Sequence, residues 1–348
     1  MRPRHAVLVV RSFVLGLGAG AMRRRQFLGL LGATVALPLG AGAQQAGKVY
    51  RIGLLSGSSA IGPLDARSKS LTSGLAKRGF VEGRNIAFEQ RWADGHLDRL
   101  DAFAAELNTA KVDVIVTYGY PAALAAKTSA NGTPIVISGA GDPVATGLVE
   151  GLSRPGGNLT GVTEVSTELS AKRLEILRDT VPNLRVVAML WNAADLGMTL
   201  RYRAAEDAAR VLGVKVQTLG VREPNDFDEA FAAMTRQPPD AILMVSDALT
   251  VLNRKRVVEF AAANRLPTIF ETAALVREGG LMSYGPKQSD IGDRVAELVT
   301  HILRGTRPAD LPLELPTRFE FVINLKTAKA LGLTLRPALL DRADEVIE

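Results

Sequence analysis

The chain of 348 residues contains no cysteine and only three histidines. The lack of cysteine excludes disulfide bonds, thiolate metal sites and a cysteine nucleophile. The histidines are scattered: His5 lies in the N-terminal segment, His96 at the predicted start of an exposed helix, and His301 in a late predicted helix. The HExxH, GxSxG and GxxxxGK[ST] patterns of common enzyme sites are also missing. We therefore expect a protein that is not an enzyme, with no catalytic residues, no metal and no cofactor.

Net charge is absent too, once the first residues are set aside. Residues 1–43 hold six of the 42 basic residues and none of the 36 acidic ones, so the remaining basic and acidic residues balance. The formal charge of +6 thus belongs to the N-terminal segment. A balanced remainder offers no basic face, and we expect no nucleic-acid partner.

Residues 1–43 have the order of an export signal. Arg23–Arg25 precede the apolar run Phe27–Leu39, and Ala41–Ala43 form a cleavage pattern of small residues. The two arginines followed by Gln-Phe-Leu also resemble a twin-arginine signal. We expect export to the periplasm, with the twin-arginine route as a candidate pathway, and a mature chain that begins near Gln44.

The first 21 residues contain a further apolar run. It fits either a start codon assigned too early, with Met22 as the true start, or a membrane anchor. After residue 43 no run approaches the roughly 20 apolar residues of a membrane helix. The mature protein is therefore not expected to be embedded in a membrane.

Short buried strands alternate with helical segments along the mature chain, which is typical of parallel sheets covered by helices on both faces. At this length two compact units are expected. The pattern predicts helices at Leu200–Leu212 and Val251–Asn264 in the later half. The fold class is accordingly α/β, with two doubly wound parallel-sheet lobes.

The stretch Pro134–Thr163 marks the passage from one lobe to the other. Ile135–Ser138 has the composition of a buried strand, and a second β-like run follows at Leu159. Asp142 followed by proline predicts a helix that extends to Leu152, because Asp caps a helix and proline is tolerated at its first position. We place the crossing just before Leu159.

Ligands of doubly wound sheets bind beyond the carboxyl ends of the strands, where loops and helix N-termini converge. The residues predicted at those ends are Ser56, Ser58, Tyr118, Gly119, Ser138, Asp142, Asn192, Ser246, Asp247, Glu271 and Tyr284. Small and hydroxylated residues let backbone N–H groups meet an anionic head group. Asp247 or Glu271 can pair with an ammonium group. Tyr118, Trp191 or Tyr284 can stack on a planar ligand.

Several of these residues also have purely structural explanations. Asp142 and Asp247 are well placed to cap helices, and Ser56 and Ser58 to satisfy the following turn. Trp191 is better suited to packing than to binding, and Tyr284 is as well suited to one as to the other. An amino acid or similar zwitterion would use an anion site, a cation site and a stacking site together. No arginine follows a predicted strand, which disfavours a strongly anionic ligand.

Four segments carry a resemblance to a known family. They are KVYRIGLLS, GDPVATGLVEGLSRPGGNLTGVT, the tail INLKTAKALGLTLRPALLDRADEVIE, and the leader with AGAQQ. They resemble the ABC-transporter substrate-binding protein family that includes tryptophan-binding lipoproteins. The lipoprotein relatives have a cysteine that this chain lacks, so it looks like a free periplasmic version.

The resemblance implies a type I periplasmic-binding-protein fold with three crossings between the lobes. The expected division is a leader at 1–43, one lobe at 44–158 plus 286–316, and another at 159–285 plus 317–348. The implied function is capture of a small solute for an ABC importer. The leading candidate for that solute is an aromatic or branched amino acid. An ABC permease and its ATPase are the expected partners, and the receptor is expected to be a monomer.

Two other functions stay open on the sequence. A periplasmic ligand-sensing module for a signalling partner would have the same lobes and the same leader. An enzyme on a doubly wound fold would need paired carboxylates, and nothing in the sequence pairs them.

Overall fold

The computed structural model describes residues 48–59, 66–164 and 166–348. The predictions for the leader at 1–43 lie outside the described residues. Residues from Lys48 onward form one compact unit.

The strands alternate with helices, as the hydrophobic pattern predicts. They are β1 (Tyr50–Ser56), β2 (Ile86–Trp92), β3 (Val114–Tyr118), β4 (Ile135–Ser138), β5 (Leu159–Val162), β6 (Val186–Asn192), β7 (Lys215–Val221), β8 (Ala241–Met244), β9 (Thr268–Phe270), β10 (Met282–Pro286), β11 (Leu313–Glu314), β12 (Phe319–Asn324) and β13 (Glu345–Ile347).

The helices lie between these strands and cover both faces of each sheet. They are α1 (Ala66–Lys77), α2 (Leu100–Thr109), α3 (Tyr120–Ser129), α4 (Ser166–Thr180), α5 (Leu196–Leu212), α6 (Asp226–Arg236), α7 (Ala248–Leu252), α8 (Arg254–Ala263), α9 (Ala273–Arg277), α10 (Gln288–Leu303), α11 (Leu325–Ala330) and α12 (Pro337–Leu340).

Two sheets organise these elements into two lobes. The first has the order β11-β5-β4-β3-β1-β2, and the second has the order β13-β12-β10-β9-β8-β6-β7. All pairs are parallel except β10 with β12. The chain passes between the sheets after β5, after β10 and after β11. The predicted class, two α/β lobes joined by three crossings, is confirmed.

Strand β5 lies in the first lobe, whereas the sequence analysis placed residues 159 onward in the second. Leu159 pairs with Ile135 of β4, and Gly161 pairs with Leu313 of β11. The packing there is close: a Cβ on Gly161, which has φ of 145°, would lie 2.3 Å from the carbonyl oxygen of Ile137. The first crossing therefore begins after β5.

The predicted helix at Asp142–Leu152 is wrong. The Asp142 carboxylate accepts the N–H groups of Val144 and Ala145 at 3.1 and 3.0 Å, but the segment that follows forms turns. Gly147 takes a φ of +71°, which an α-helix does not accommodate. The cap is thus present without the helix.

Other helix limits also differ from the sequence prediction. Helix α5 begins at Leu196, one turn earlier than predicted, with Asp195 as its N-cap. The single helix predicted at Val251–Asn264 is two helices, α7 and α8, which meet at Asn253. No helix among the described residues is long and apolar enough to cross a membrane.

Each sheet is buried between two helical layers. In the first lobe one apolar cluster joins the sheet to α2 and α3, and another joins it to α1 and α10. In the second lobe α4 and α5 cover one face, and α6 and α8 cover the other. This layering leaves the carboxyl ends of the strands, with their loops, to meet between the lobes.

Candidate ligand-binding cleft

The carboxyl ends of the strands face each other across a cleft between the lobes. A Cβ added to Gly57, after β1, would lie 3.4 Å from Cβ of Ala248 in the second lobe. A Cβ on Gly197 would similarly lie 3.5 Å from Cβ of Tyr120 in the first lobe. The two lobes therefore approach each other closely at both positions.

The predicted residues of the first lobe lie along one edge of its sheet. In the strand register, Ser56 pairs with Tyr118 and Tyr118 pairs with Ser138, so the three strand ends are level. Ser56 Oγ accepts the N–H of Ser58 at 3.1 Å, which closes the turn after β1. Gly119 has a φ of +86° and is the N-cap of α3. The buried Ser138 Oγ has no hydrogen-bond partner among the described residues.

The predicted residues of the second lobe form a connected set. Asn192 is buried, and its Nδ2 donates to Asp247 Oδ2 at 2.6 Å. Asp247 forms a capping box with Thr250 at the start of α7. The backbone N–H of Ser246 donates to Glu271 Oε2 at 3.2 Å. Polar atoms at the ends of β6, β8 and β9 are thus brought together as predicted.

The aromatic candidates pack within the lobes. Trp191 is 6% exposed and stacks on Tyr202 with a centroid distance of 3.9 Å. Tyr284 lies 6.2 Å from the ring of Phe319 and belongs to the apolar cluster of the second lobe. Tyr118 packs with the face covered by α1 and α10. Trp191 is therefore a core residue.

Five charged residues form a buried chain of ion pairs beside the cleft, which we name the interlobe ion cluster: Arg67, Glu164, Arg173, Arg201 and Glu271. Arg67 of α1 pairs with Glu164 at 2.7 Å, and Glu164 pairs with Arg201 of α5 at 2.8 Å. Arg201 and Arg173 each pair with Glu271 at 2.8 Å. Glu164 stands on the first crossing, so the cluster joins the two lobes through that crossing.

The interlobe ion cluster also forms hydrogen bonds with the second crossing, which follows β10. Arg173 Nε donates to the carbonyl of Tyr284 at 2.7 Å, and Arg67 Nε donates to Gln288 at 2.8 Å. Arg67 Nη1 reaches the carbonyl of Ser138 at 2.6 Å. Glu271, proposed from the sequence as a partner for a ligand's ammonium group, already has an arginine on each oxygen.

The electrostatics of the cluster favour its charged form. Burial raises the pKa of Glu164, but Arg67 and Arg201 outweigh it and bring that pKa to about 2. Burial likewise lowers the pKa of Arg201, yet Glu271 and Glu164 leave it raised overall. Among the described residues Arg173 has Glu271 alone as an ion-pair partner, so burial, helped by the charge of Arg201, prevails and the pKa of Arg173 is lowered.

Gly139 provides the space in which the cluster reaches the first lobe. A Cβ at this position would lie 2.7 Å from Glu164 Oε1 and 3.0 Å from Arg67 Nη1. Its φ of +80° is also in the region that favours glycine. A residue with a side chain here would push Glu164 away from Arg67.

A second set of carboxylates, Asp195 and Asp247, forms no ion pair among the described residues. Asp195, the N-cap of α5, is 3% exposed, and burial together with Asp247 raises its pKa to about 7. The pKa of Asp247 is raised mainly by burial. These two acidic groups face the cleft from neighbouring strand ends of the second lobe.

The sequence analysis missed Asp195 and four members of the cluster, all but Glu271. The sequence feature that could reveal such residues is a charged side chain in an otherwise apolar stripe of a helix. In α5 the buried residues are Gly197, Met198, Arg201, Ala205 and Ala209, spaced by about one turn. An arginine in such a stripe must find a buried partner. Asp195 was missed because the start of α5 was placed at Leu200.

Comparison with known proteins identifies the family. The sequence profile of the ABC transporter substrate-binding proteins matches residues 60–347. The chain belongs to this family. Its members are binding proteins, in agreement with the missing enzyme motifs. The two-lobed architecture is the type I periplasmic binding fold, as the solved relatives also show.

Individual relatives are about one quarter identical to the chain. A tyrosine-binding protein from Clostridioides difficile (strain R20291) is 25% identical over 270 residues, which cover 78% of this chain and 77% of that protein. The ABC domain from Streptococcus pneumoniae in complex with L-Trp is 26% identical, with a TM-score of 0.80 over 86% of this chain and all of that one. The ligand-free, open structure of a substrate-binding protein with adhesive properties from Clostridium difficile is also 26% identical. Its TM-score is 0.61 over 86% of this chain and 99% of that one.

Proposed function

We propose that the protein captures an aromatic amino acid between its lobes and delivers it to an ABC importer. The similarity to the L-Trp complex, over the whole of that structure, carries the proposal. The relationship to a tyrosine-binding protein supports the same ligand class. Asp195 and Asp247 supply negative charge for an ammonium group.

Closure of the lobes would be the step that signals capture. The contacts of Gly57 with Ala248 and of Gly197 with Tyr120 fit a closed arrangement. The two solved relatives are equally similar in sequence, yet the TM-score falls from 0.80 for the L-Trp complex to 0.61 for the open, ligand-free protein. A ligand that contacts both lobes adds interactions that only the closed form makes, and therefore shifts the population toward it.

The closed receptor would be recognised by a membrane permease with its ATPase. Residues 1–43 support export to the periplasm, with the twin-arginine route as the finer hypothesis. A micromolar dissociation constant corresponds to about 8 kcal/mol of binding free energy. A few charge-assisted hydrogen bonds and one buried aromatic ring supply that amount.

A thermal-shift screen tests the proposal. The protein is expressed with its own leader, purified after export, and screened against the amino acids, aromatic acids, sugars and polyamines. A ligand that binds only the folded state raises the melting temperature in a concentration-dependent way. We expect L-tryptophan or L-tyrosine to give the largest shift. A shift with sugars alone would reject the amino-acid proposal, and a shift with only a protein partner would favour the sensing function.

A further inference from the structure

Asp195 lies at a place where the second lobe closely approaches the first. It caps α5, and Gly197, two residues later, packs against the first lobe. A Cβ on Gly197 would lie 3.2 Å from Asp195 Oδ1, 3.5 Å from Cβ of Tyr120 and 3.9 Å from the carbonyl oxygen of Ala140. The carboxylate is thus buried between the lobes, at 3% exposure.

This carboxylate has little that compensates its charge. Its Oδ1 accepts the N–H of Met198 at 3.3 Å, and in the described part of the chain it takes part in no ion pair. Burying a carboxylate without a cation is costly. Burial and the charge of Asp247 raise the pKa of Asp195 to about 7, although the N–H groups of Met198 and Gly197 and the charge of Arg201 act to lower it.

Helix capping alone does not explain an aspartate here. Asparagine and serine cap helices about as well as aspartate does, and they carry no charge that burial would penalise. Asp247 differs in this respect, because Thr250 and Asn192 both donate to it. Within the described chain Arg201 offsets a negative charge at position 195, but it does so without forming an ion pair with Asp195.

Two further buried groups at this place lack partners, and they come from both lobes. Tyr120 of the first lobe is 8% exposed, and its hydroxyl makes no hydrogen bond among the described residues. Burial and the charge of Asp195 both raise the pKa of the Tyr120 hydroxyl. Arg201, 2% exposed, has an Nε with no hydrogen-bond partner in the same part of the structure.

Helix geometry brings Arg201 toward Asp195. The six residues between them span about 9 Å along the axis, and a long helical side chain leans toward the N-terminus. The Arg201 guanidinium thereby reaches the first lobe: a Cβ on Gly141 would lie 3.6 Å from its Nη2 and 3.7 Å from its Nε. The Asp195 carboxylate, the Tyr120 side chain and the Arg201 guanidinium thus all lie around the close approach of Gly197 and Gly141 between the lobes.

We propose that Asp195 accepts the ammonium group of an α-amino acid and that the neighbouring Arg201 Nε donates to its carboxylate. The Tyr120 hydroxyl completes this head-group site from the first lobe. A free α-amino acid is the ligand class that presents an ammonium and a carboxylate on one carbon. The assignment rests on the proposed function and names the residues that select for a free amino acid.

Isothermal titration calorimetry on the exported protein at pH 7.5 tests the assignment. The probes are L-tryptophan, 3-indolepropionate, which lacks the ammonium group, and tryptamine, which lacks the carboxylate. Asp195→Asn keeps the helix cap and removes the charge. Loss of one charge-assisted hydrogen bond corresponds to about a 10- to 100-fold weaker affinity. We expect that loss for L-tryptophan, and we expect 3-indolepropionate to bind Asp195→Asn at least as tightly as the wild type.

Two variants control the experiment. Asp240→Asn makes the same substitution at the opposite edge of the same sheet, where Asp240 accepts the N–H groups of Arg185 and Val186 at 2.8 Å. It should leave L-tryptophan affinity unchanged. Arg201→Lys keeps the charge of the interlobe ion cluster but loses Nε. It should reduce the ratio of the L-tryptophan affinity to the tryptamine affinity. A general loss of closure would weaken the binding of both ligands and leave this ratio unchanged.

The outcomes separate this assignment from the proposed function. If no amino acid binds the wild type, the proposed function is refuted and the assignment falls with it. If L-tryptophan or L-tyrosine binds but Asp195→Asn binds it equally well, the function stands and the assignment is wrong. If Arg201→Lys and the wild type prefer L-tryptophan over tryptamine to the same degree, only the role assigned to Arg201 Nε, donation to the ligand carboxylate, is wrong.

Discussion

Replacing Glu271 by glutamine should strongly destabilise the second lobe. Glu271 is 7% exposed, and it accepts from Arg173 Nη1 and Arg201 Nη1, both at 2.8 Å. Glutamine has the same shape, so no cavity forms and only the charge is lost. Its amide nitrogen would face the N–H groups of one arginine. Arg173 would lose the ion-pair partner that it has in the described chain, while Arg201 would keep only Glu164.

The size of the effect follows from the burial of the partners. Removing one member of a buried ion pair costs about 3–5 kcal/mol, because the remaining charge is left without a partner in the interior. An exposed ion pair contributes about 0–1 kcal/mol. The matched control is Glu345→Gln, which removes the charge from the exposed pair of Arg277 with Glu345. We expect the two identical substitutions to differ by about 3 kcal/mol or more.

Urea unfolding at pH 7 without ligand measures this difference. The chain has two tryptophans, Trp92 in the first lobe and Trp191 in the second, so their fluorescence follows both lobes. In a Trp92→Phe background the signal reports the second lobe alone, where we expect the midpoint to fall. If Glu271→Gln unfolds within about 1 kcal/mol of Glu345→Gln, the cluster does not stabilise the fold as argued here.

Three further predictions concern the cleft. Because Asp195 must be ionised to bind an ammonium group and its pKa is about 7, L-tryptophan affinity should rise about tenfold between pH 6 and pH 8. Around Asp195, Arg201 and Tyr120 have raised pKa values and keep their ordinary charge over that range, whereas burial raises the pKa of Asp247 as well. Asp195→Asn should therefore abolish the rise, and calorimetry with 3-indolepropionate should show no such rise. Gly139→Ala should lower the melting temperature more than Gly132→Ala does. Gly132 is a loop glycine whose φ is also positive, but it has open space around it. Equal shifts in melting temperature would show that the close approach of Glu164 to Gly139 does not matter. The pKa of Glu164 in the folded protein lies below its usual value, so its stabilising effect is complete above about pH 4.5 and disappears as the pH falls toward 2. The stability difference between wild type and Glu164→Gln should therefore shrink over that range in urea titrations, and a constant difference would contradict the ion-pair explanation.

The sequence predicted the architecture because strand and helix patterns are local. Short runs such as Ile135–Ser138 reveal a buried parallel strand without any knowledge of their neighbours. Strand pairing is not local, and for that reason β5 was assigned to the wrong lobe. The turn after Asp142 shows a similar limit, because a cap and a proline signal a helix start while Gly147 prevents the helix.

The site was predictable only where it lies on strand ends. Asn192, Ser246 and Asp247 follow strands directly, and the structure brings them together. Arg173 and Arg201 reach the cleft from helices, and their partners Glu164 and Glu271 come from distant parts of the chain. A single sequence shows such charges only as irregularities in an apolar stripe, and it does not reveal which residue neutralises them.

A crystal structure of the protein grown with L-tryptophan is the most direct test of amino-acid capture between closed lobes. We predict density between the strand ends of the two sheets, with the ligand nitrogen within hydrogen-bonding distance of Asp195 and the ion pairs of Glu164 with Arg67 and Arg201 intact. A ligand bound to one lobe of an open protein, or to a site outside the cleft, would contradict the account.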